Sequence, residues 1–142
     1  MQDAHDLGLI IDSRVPLVLI QSHEETRVLD VLMQVTNKRT LPMQVWTITE
    51  GLRPLGFSMG EQDGDKLVEL DDALIAIKRT RSKGLFVLCD AQGFLTSEHP
   101  KTIRLLKDIV LQYESVNRTV VLLSHALDLP PELKRYAAEF TL

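Results

Sequence analysis

A chain of 142 residues, 44% hydrophobic and 25% charged, has the length of one domain and enough apolar side chain to build a real core. Its net charge of -4 excludes sequence-independent binding to nucleic acid, which needs a basic surface. The apolar runs are too short to span a bilayer, no basic-then-apolar leader opens the chain, and the single cysteine, Cys89, allows no internal disulfide.

The expected setting is therefore the cytoplasm. The first predicted element is a short helix in "AHDLGLIIDSR" (4–14), where Leu7, Ile10 and Ile11 share one face. "VPLVLIQ" (15–21) is a continuous apolar run of strand length, the pattern of a strand covered on both sides. A helix follows in "EETRVLDVLMQVTN", striped by Val28, Leu29, Leu32 and Val35. "MQVWTI" (43–48) reads as a second strand, with Trp46 expected in the core. From Glu50 to Asp65 the glycines at 51, 56, 60 and 64 come without periodicity, so a loop is expected there.

Leu67, Leu70, Leu74 and Ile77 mark another helix, with Gly84 as its stop signal. "LFVLC" (85–89), with Phe86 expected in the core, is the third strand and Asp90 ends it. Pro100 suits the first position of a helix carrying Ile103, Leu106, Ile109 and Val110. "TVVLLS" (119–124) is the fourth strand, "PPELKRYA" a short helix and "AEFTL" a fifth strand. Helices alternating with apolar strands predict a single α/β domain over 1–142: an open, mostly parallel sheet of about five strands in three layers, with helices on both faces. The sequence stops at its last strand without a tail, which predicts a piece of a longer protein.

Open α/β sheets bind ligands at the carboxyl ends of their strands. That edge should collect Ser22, His23, Glu24 and Glu25, then Thr49 and Glu50, then Asp90, then Ser124 and His125. A phosphate-binding loop needs glycines for close backbone approach and a lysine for charge. The nearest string, "GLRPLGFS" (51–58), has Phe57 in the lysine's place and leads into no helix. "SHEE" (22–25) instead matches a capping box, with Ser22 capping the helix and Glu25 reaching back to the Ser22 N–H. The same acids would repel a polyphosphate at that helix end.

Asp90 has three readings: an acid holding a magnesium shell, a phosphoacceptor of receiver type supported by Glu24, Glu25 and Ser124, or a cap on the following loop. The receiver reading lacks a lysine after the fifth strand. His23, Cys89, His99 and His125 could gather at the same edge, but their spacing fits no short metal motif. Ser124 and His125 are adjacent, which aims neither side chain at the other, so no catalytic residue is assigned.

Four stretches carry a family resemblance: "LVLIQSHEETRVLDVL", "VWTITEGL", "LFVLCDAQGFL" and "RTVVLLSHALDLPPEL". Together they resemble the N-terminal part of the AAA+ ATPases related to an uncharacterised reading frame of chloroplasts and cyanobacteria. Trp46 to Gly51 matches the family's "W(S/T)-(V/I)-T-E-G", and Leu127 to Leu133 its "L-x-(L/I)-P-x-E-L". The resemblance implies a fold like that of P-loop ATPases or RecA without a P-loop, placed ahead of a separate AAA+ module. It places Asp90 where such folds hold magnesium and Ser124 where they sense phosphate, as weak candidates only. ATP and magnesium are implied for the following module, with no cofactor in this domain. The implied work is contact with a protein partner or with the chain's own AAA+ module, in a full-length protein that assembles as a hexamer. The family's "D-F/L-H" after the third strand is Asp90-Ala91-Gln92 here, so no histidine role carries over.

Overall fold

The computed structural model describes residues 2–55 and 67–142. Its strands are β1 (Leu17–Gln21), β2 (Met43–Thr47), β3 (Gly51–Leu55), β4 (Gly84–Cys89), β5 (Arg118–Ser124) and β6 (Ala137–Phe140). They form one sheet in the order β3-β2-β4-β5-β1-β6, and every neighbouring pair is parallel except β2 with β3. The helices are α1 (Gln2–Asp12), α2 (Glu25–Lys38), α3 (Leu70–Arg79), α4 (Pro100–Leu111) and the single-turn α5 (Pro131–Lys134).

Strand periodicity explains the layers. Leu17, Leu19, Phe86, Leu88, Val120 and Leu122 point to one side and pack with α3, α4 and Leu133 of α5. Their chain neighbours Val18, Ile20, Leu85, Val87, Val121 and Leu123 point to the other and pack with α1 and α2. Both faces are covered, so the central positions of β1, β4 and β5 need apolar residues on both sides, and the continuous runs follow. Trp46 and Phe86 lie in the core as expected, at 0% and 3% exposure. Pro100 opens α4 as its spacing required. None of the described helices is long and apolar enough to cross a membrane.

Two expectations need correction. The loop predicted from Glu50 onward contains a sixth strand, β3, hairpinned onto β2 with Thr47 opposite Gly51. Gly51 has φ 73°, the left-handed conformation that closes such a turn, and Thr47 Oγ accepts the Glu50 N–H at 3.0 Å. The buried positions of this edge strand are Gly51 and Leu52, so only one of its side chains is well buried, which is why no alternating pattern announced it. The remaining glycines of that stretch, with Phe57 and Ser58, lie outside the described residues. Gly84 does not stop α3 but opens β4. The helix ends at Arg79, where the Thr80 N–H returns to the Ile77 carbonyl and Thr80 Oγ–H to that of Ala76, each at 3.0 Å.

Helix α1 is fastened to the far end of α2 by Arg39. Its guanidinium donates to both Asp12 carboxylate oxygens at 2.8 Å and to the Val35 carbonyl at 3.1 Å. A Cβ on Gly8 would stand 2.5 Å from an Arg39 nitrogen, so the glycine inside α1 is the clearance for that side chain. The Arg39 hydrogen bond holds the Asp12 carboxyl below its usual range, and the guanidinium's charge adds to the effect. A carboxyl with a depressed folded pKa stabilises above its unfolded pKa and loses that contribution as pH falls through the folded value. Asp12→Asn is expected to lower stability by under about 1 kcal/mol at neutral pH, because the pair is partly exposed. The difference between wild type and variant should vanish well below about pH 3.9. Urea midpoints taken along a pH series would measure it, and a gap that persists in acid would contradict the ion pair.

Candidate functional site

β1 leads into α2 on one face of the sheet, while β5 leads into α5 on the other. Their carboxyl ends therefore flank the topological switch point, where open α/β sheets hold ligands. Four of the residues expected at the strand edge meet there: Ser22 and His23 after β1, Ser124 and His125 around the end of β5.

Hydrogen bonds of main-chain and side-chain groups cross the crevice. The Ser22 N–H donates to the Ser124 carbonyl at 2.9 Å, continuing the β1–β5 ladder one residue past the strand. The Leu127 N–H donates to Gln21 Oε1 at 3.3 Å. Gln92, after β4, pairs its amide both ways with Asp128: its nitrogen donates to the carbonyl at 2.8 Å and its oxygen accepts the N–H at 2.9 Å. Over the top, the rings of His23 and His125 stack with centroids 5.7 Å apart. Sequence reasoning missed Gln92, which stands where the resembled family has histidine. A glutamine in a loop gives no signal of its own.

The capping box does not form. The N-cap of α2 is Glu24, not Ser22, and it makes no side-chain cap bond. Ser22 Oγ instead accepts the Glu24 N–H at 3.0 Å, a turn just ahead of the helix. The physical reason is that the Ser22 N–H is already bound to Ser124, so Glu25 has no donor to reach back to. Glu25 is the first helical residue. Burial pushes the Cys89 thiol far up, and the charge and hydrogen bond of Glu25 push it further, so Cys89 is a neutral core thiol and no nucleophile.

The remaining candidates are dispersed. Glu24 is paired with Arg27 at 3.0 Å, and Arg27 also reaches Asp3 of α1 at 3.2 Å. Asp90 is exposed, in the left-handed conformation at φ 58°, with its N–H on the Leu123 carbonyl at 2.9 Å. The 3-10 turn at Gln92–Phe94 starts from Ala91 without a side-chain cap bond, so Asp90 does not cap it. Ser124 is buried, 5% exposed. His99 precedes α4 with its ring edge-on to Phe94, away from the His23–His125 pair. Among the described residues, no three of His, Cys, Asp and Glu are grouped to hold a metal ion.

The stretches that carry the family resemblance prove to be structural parts. "WTITEG" is a core tryptophan, a threonine-braced turn and the glycine that closes it. In "LDLPPEL", Leu129 and Leu133 are buried anchors and Pro131 opens α5. A family model described as the N-terminal domain of SpoVK-like AAA ATPases matches residues 3–142. No curated protein matches the chain.

Proposed function

This chain belongs to the N-terminal domains of SpoVK-like AAA ATPases, and on that footing we propose that it is a non-catalytic module that binds or restrains rather than hydrolyses. The observation that carries the proposal is the switch-point crevice. The Ser22 and Leu127 N–H groups are bound within the protein, and Glu24 and Glu25 stand at the start of α2. A polyphosphate needs free N–H groups and positive charge at that place. The motifs shared with the family serve packing and turns, which suits a domain whose shape is its function.

In this proposal ATP and magnesium belong to the AAA+ module that follows, the assembly is hexameric and cytoplasmic, and the partner is that module or a protein it handles. The placing within the chloroplast and cyanobacterial reading-frame group rests on the quoted motifs. Isothermal titration of residues 1–142 with ATP and magnesium is the direct test. No binding heat is expected up to millimolar nucleotide, and micromolar affinity would overturn the proposal.

A further inference from the structure

At the other end of the sheet from the crevice, where β4 and β5 begin and α1 and α2 end, lies a pocket of about 350 Å³. Two nearly buried side chains line it with nothing to bond. Thr119 is 4% exposed and Tyr113 8%, and neither hydroxyl has a hydrogen-bond partner among the described residues. Strand alternation turns Thr119 to the side of Val121, toward α1 and α2. Polar groups buried to this degree take a partner from whatever occupies the space beside them. The charges around them are unequal, Arg39 and Lys83 against Asp12. Both Asp12 oxygens are held by Arg39, while Lys83 has no ion pair among the described residues. Helix ends favour cations, but here the carbonyls of Leu9, Ile10, Ile11, Thr36 and Asn37 already accept N–H groups of the chain. The pocket therefore offers donors and one uncompensated positive charge, beside the apolar side chains of Ile11 and Leu41.

We propose that this pocket is a binding site for a small organic anion, with a carboxylate facing Lys83 and the Thr119 and Tyr113 hydroxyls and a short apolar chain against Ile11 and Leu41. The lining selects that chemistry. Ammonium and hydroxyl groups donate to a carboxylate, and Ile11 and Leu41 offer nothing to a second charge. The volume is at the small end of ligand sites, which suits a short chain. The site stands apart from the switch-point crevice, and it does not depend on the reading of the domain as a non-catalytic module.

Hexanoate titrated into residues 1–142, followed by amide chemical shifts, tests it. Saturable shifts are expected at Lys83, Gly84, Tyr113 and Thr119, with a dissociation constant in the millimolar range that so few ligand atoms allow. Acetate lacks the chain and hexanol the charge, so each should bind at least about tenfold more weakly. Lys83→Met should weaken hexanoate by about tenfold. Thr119→Val should weaken it too, while leaving the urea midpoint of the ligand-free domain unchanged or higher, because the hydroxyl it removes has no partner there. Shifts that stay linear to roughly 100 mM hexanoate overturn the proposal. Binding as tight for acetate or hexanol as for hexanoate overturns it as well, as do shifts centred on Ser22 and His125.

Discussion

Replacing Arg118 with alanine should lower the stability of the fold by about 2–4 kcal/mol, the cost of leaving several buried acceptors unpaired. Arg118 opens β5 and is 1% exposed, with no carboxylate against it. Its guanidinium donates instead to the carbonyls of Ile77, at 2.7 Å, and Lys78, and to Gln112 Oε1 at 2.6 Å. Ile77 and Lys78 end α3, and Gln112 is the C-cap residue of α4. The charge is therefore met by the carbonyl end of α3 and the Gln112 side-chain amide rather than by an acid. Burial lowers its pKa, the like charge of Arg81 adds to that, and the group remains a cation. Removing it orphans the carbonyls of α3 and leaves a cavity between two helix ends and the sheet. Arg118→Lys keeps the charge but not the fork, and should cost about 1–3 kcal/mol for the bonds it cannot remake. Chemical denaturation measures both through the midpoint at unchanged slope. A loss below about 1 kcal/mol for alanine would mean that solvent, not the helix ends, carries the charge.

Trp46→Ala is expected to be at least as damaging, about 3–5 kcal/mol. The indole is fully buried, its N–H donates to the Val68 carbonyl at 3.0 Å, and Phe94 meets it edge-on at 6.2 Å. Trp46 thus joins β2 to the segment leading into α3 and to the loop after β4. Trp46→Phe retains most of the volume and loses the hydrogen bond, for about 1–2 kcal/mol. It is the only tryptophan in the chain, so its emission reports the same site directly. The wild-type spectrum should be blue-shifted and move red in one transition with unfolding. A red-shifted native spectrum would contradict its burial.

The strands and helices with two-sided or one-sided apolar patterns were legible because burial leaves a period in the sequence. β3 left none, since an edge strand with one buried side chain needs no alternation. The candidate site was legible as an address but not as an arrangement. Ser22, His23, Ser124 and His125 could be placed at the strand ends from their positions alone, whereas the bond from Ser22 to Ser124 joins residues far apart in the chain. That one bond also defeated the capping box, a local motif overruled by a long-range partner for the same N–H. Gln92 and Arg118 escaped notice for a related reason. Most of their hydrogen-bond partners are backbone groups on other elements, and any residue type supplies a backbone carbonyl.

Legible from the residues alone are the alternation of helix and strand, the apolar strands of a parallel sheet, the missing glycine–lysine phosphate loop and the acids at the start of α2. These are local properties, set by side-chain period and residue identity. The tertiary arrangement adds that hydrogen bonds cross the switch-point crevice, that the Ser22 N–H is taken by Ser124, and that Arg118 joins the ends of α3 and α4. Each depends on which donor reaches which acceptor first across the sheet, and strand order, not residue order, fixes that competition.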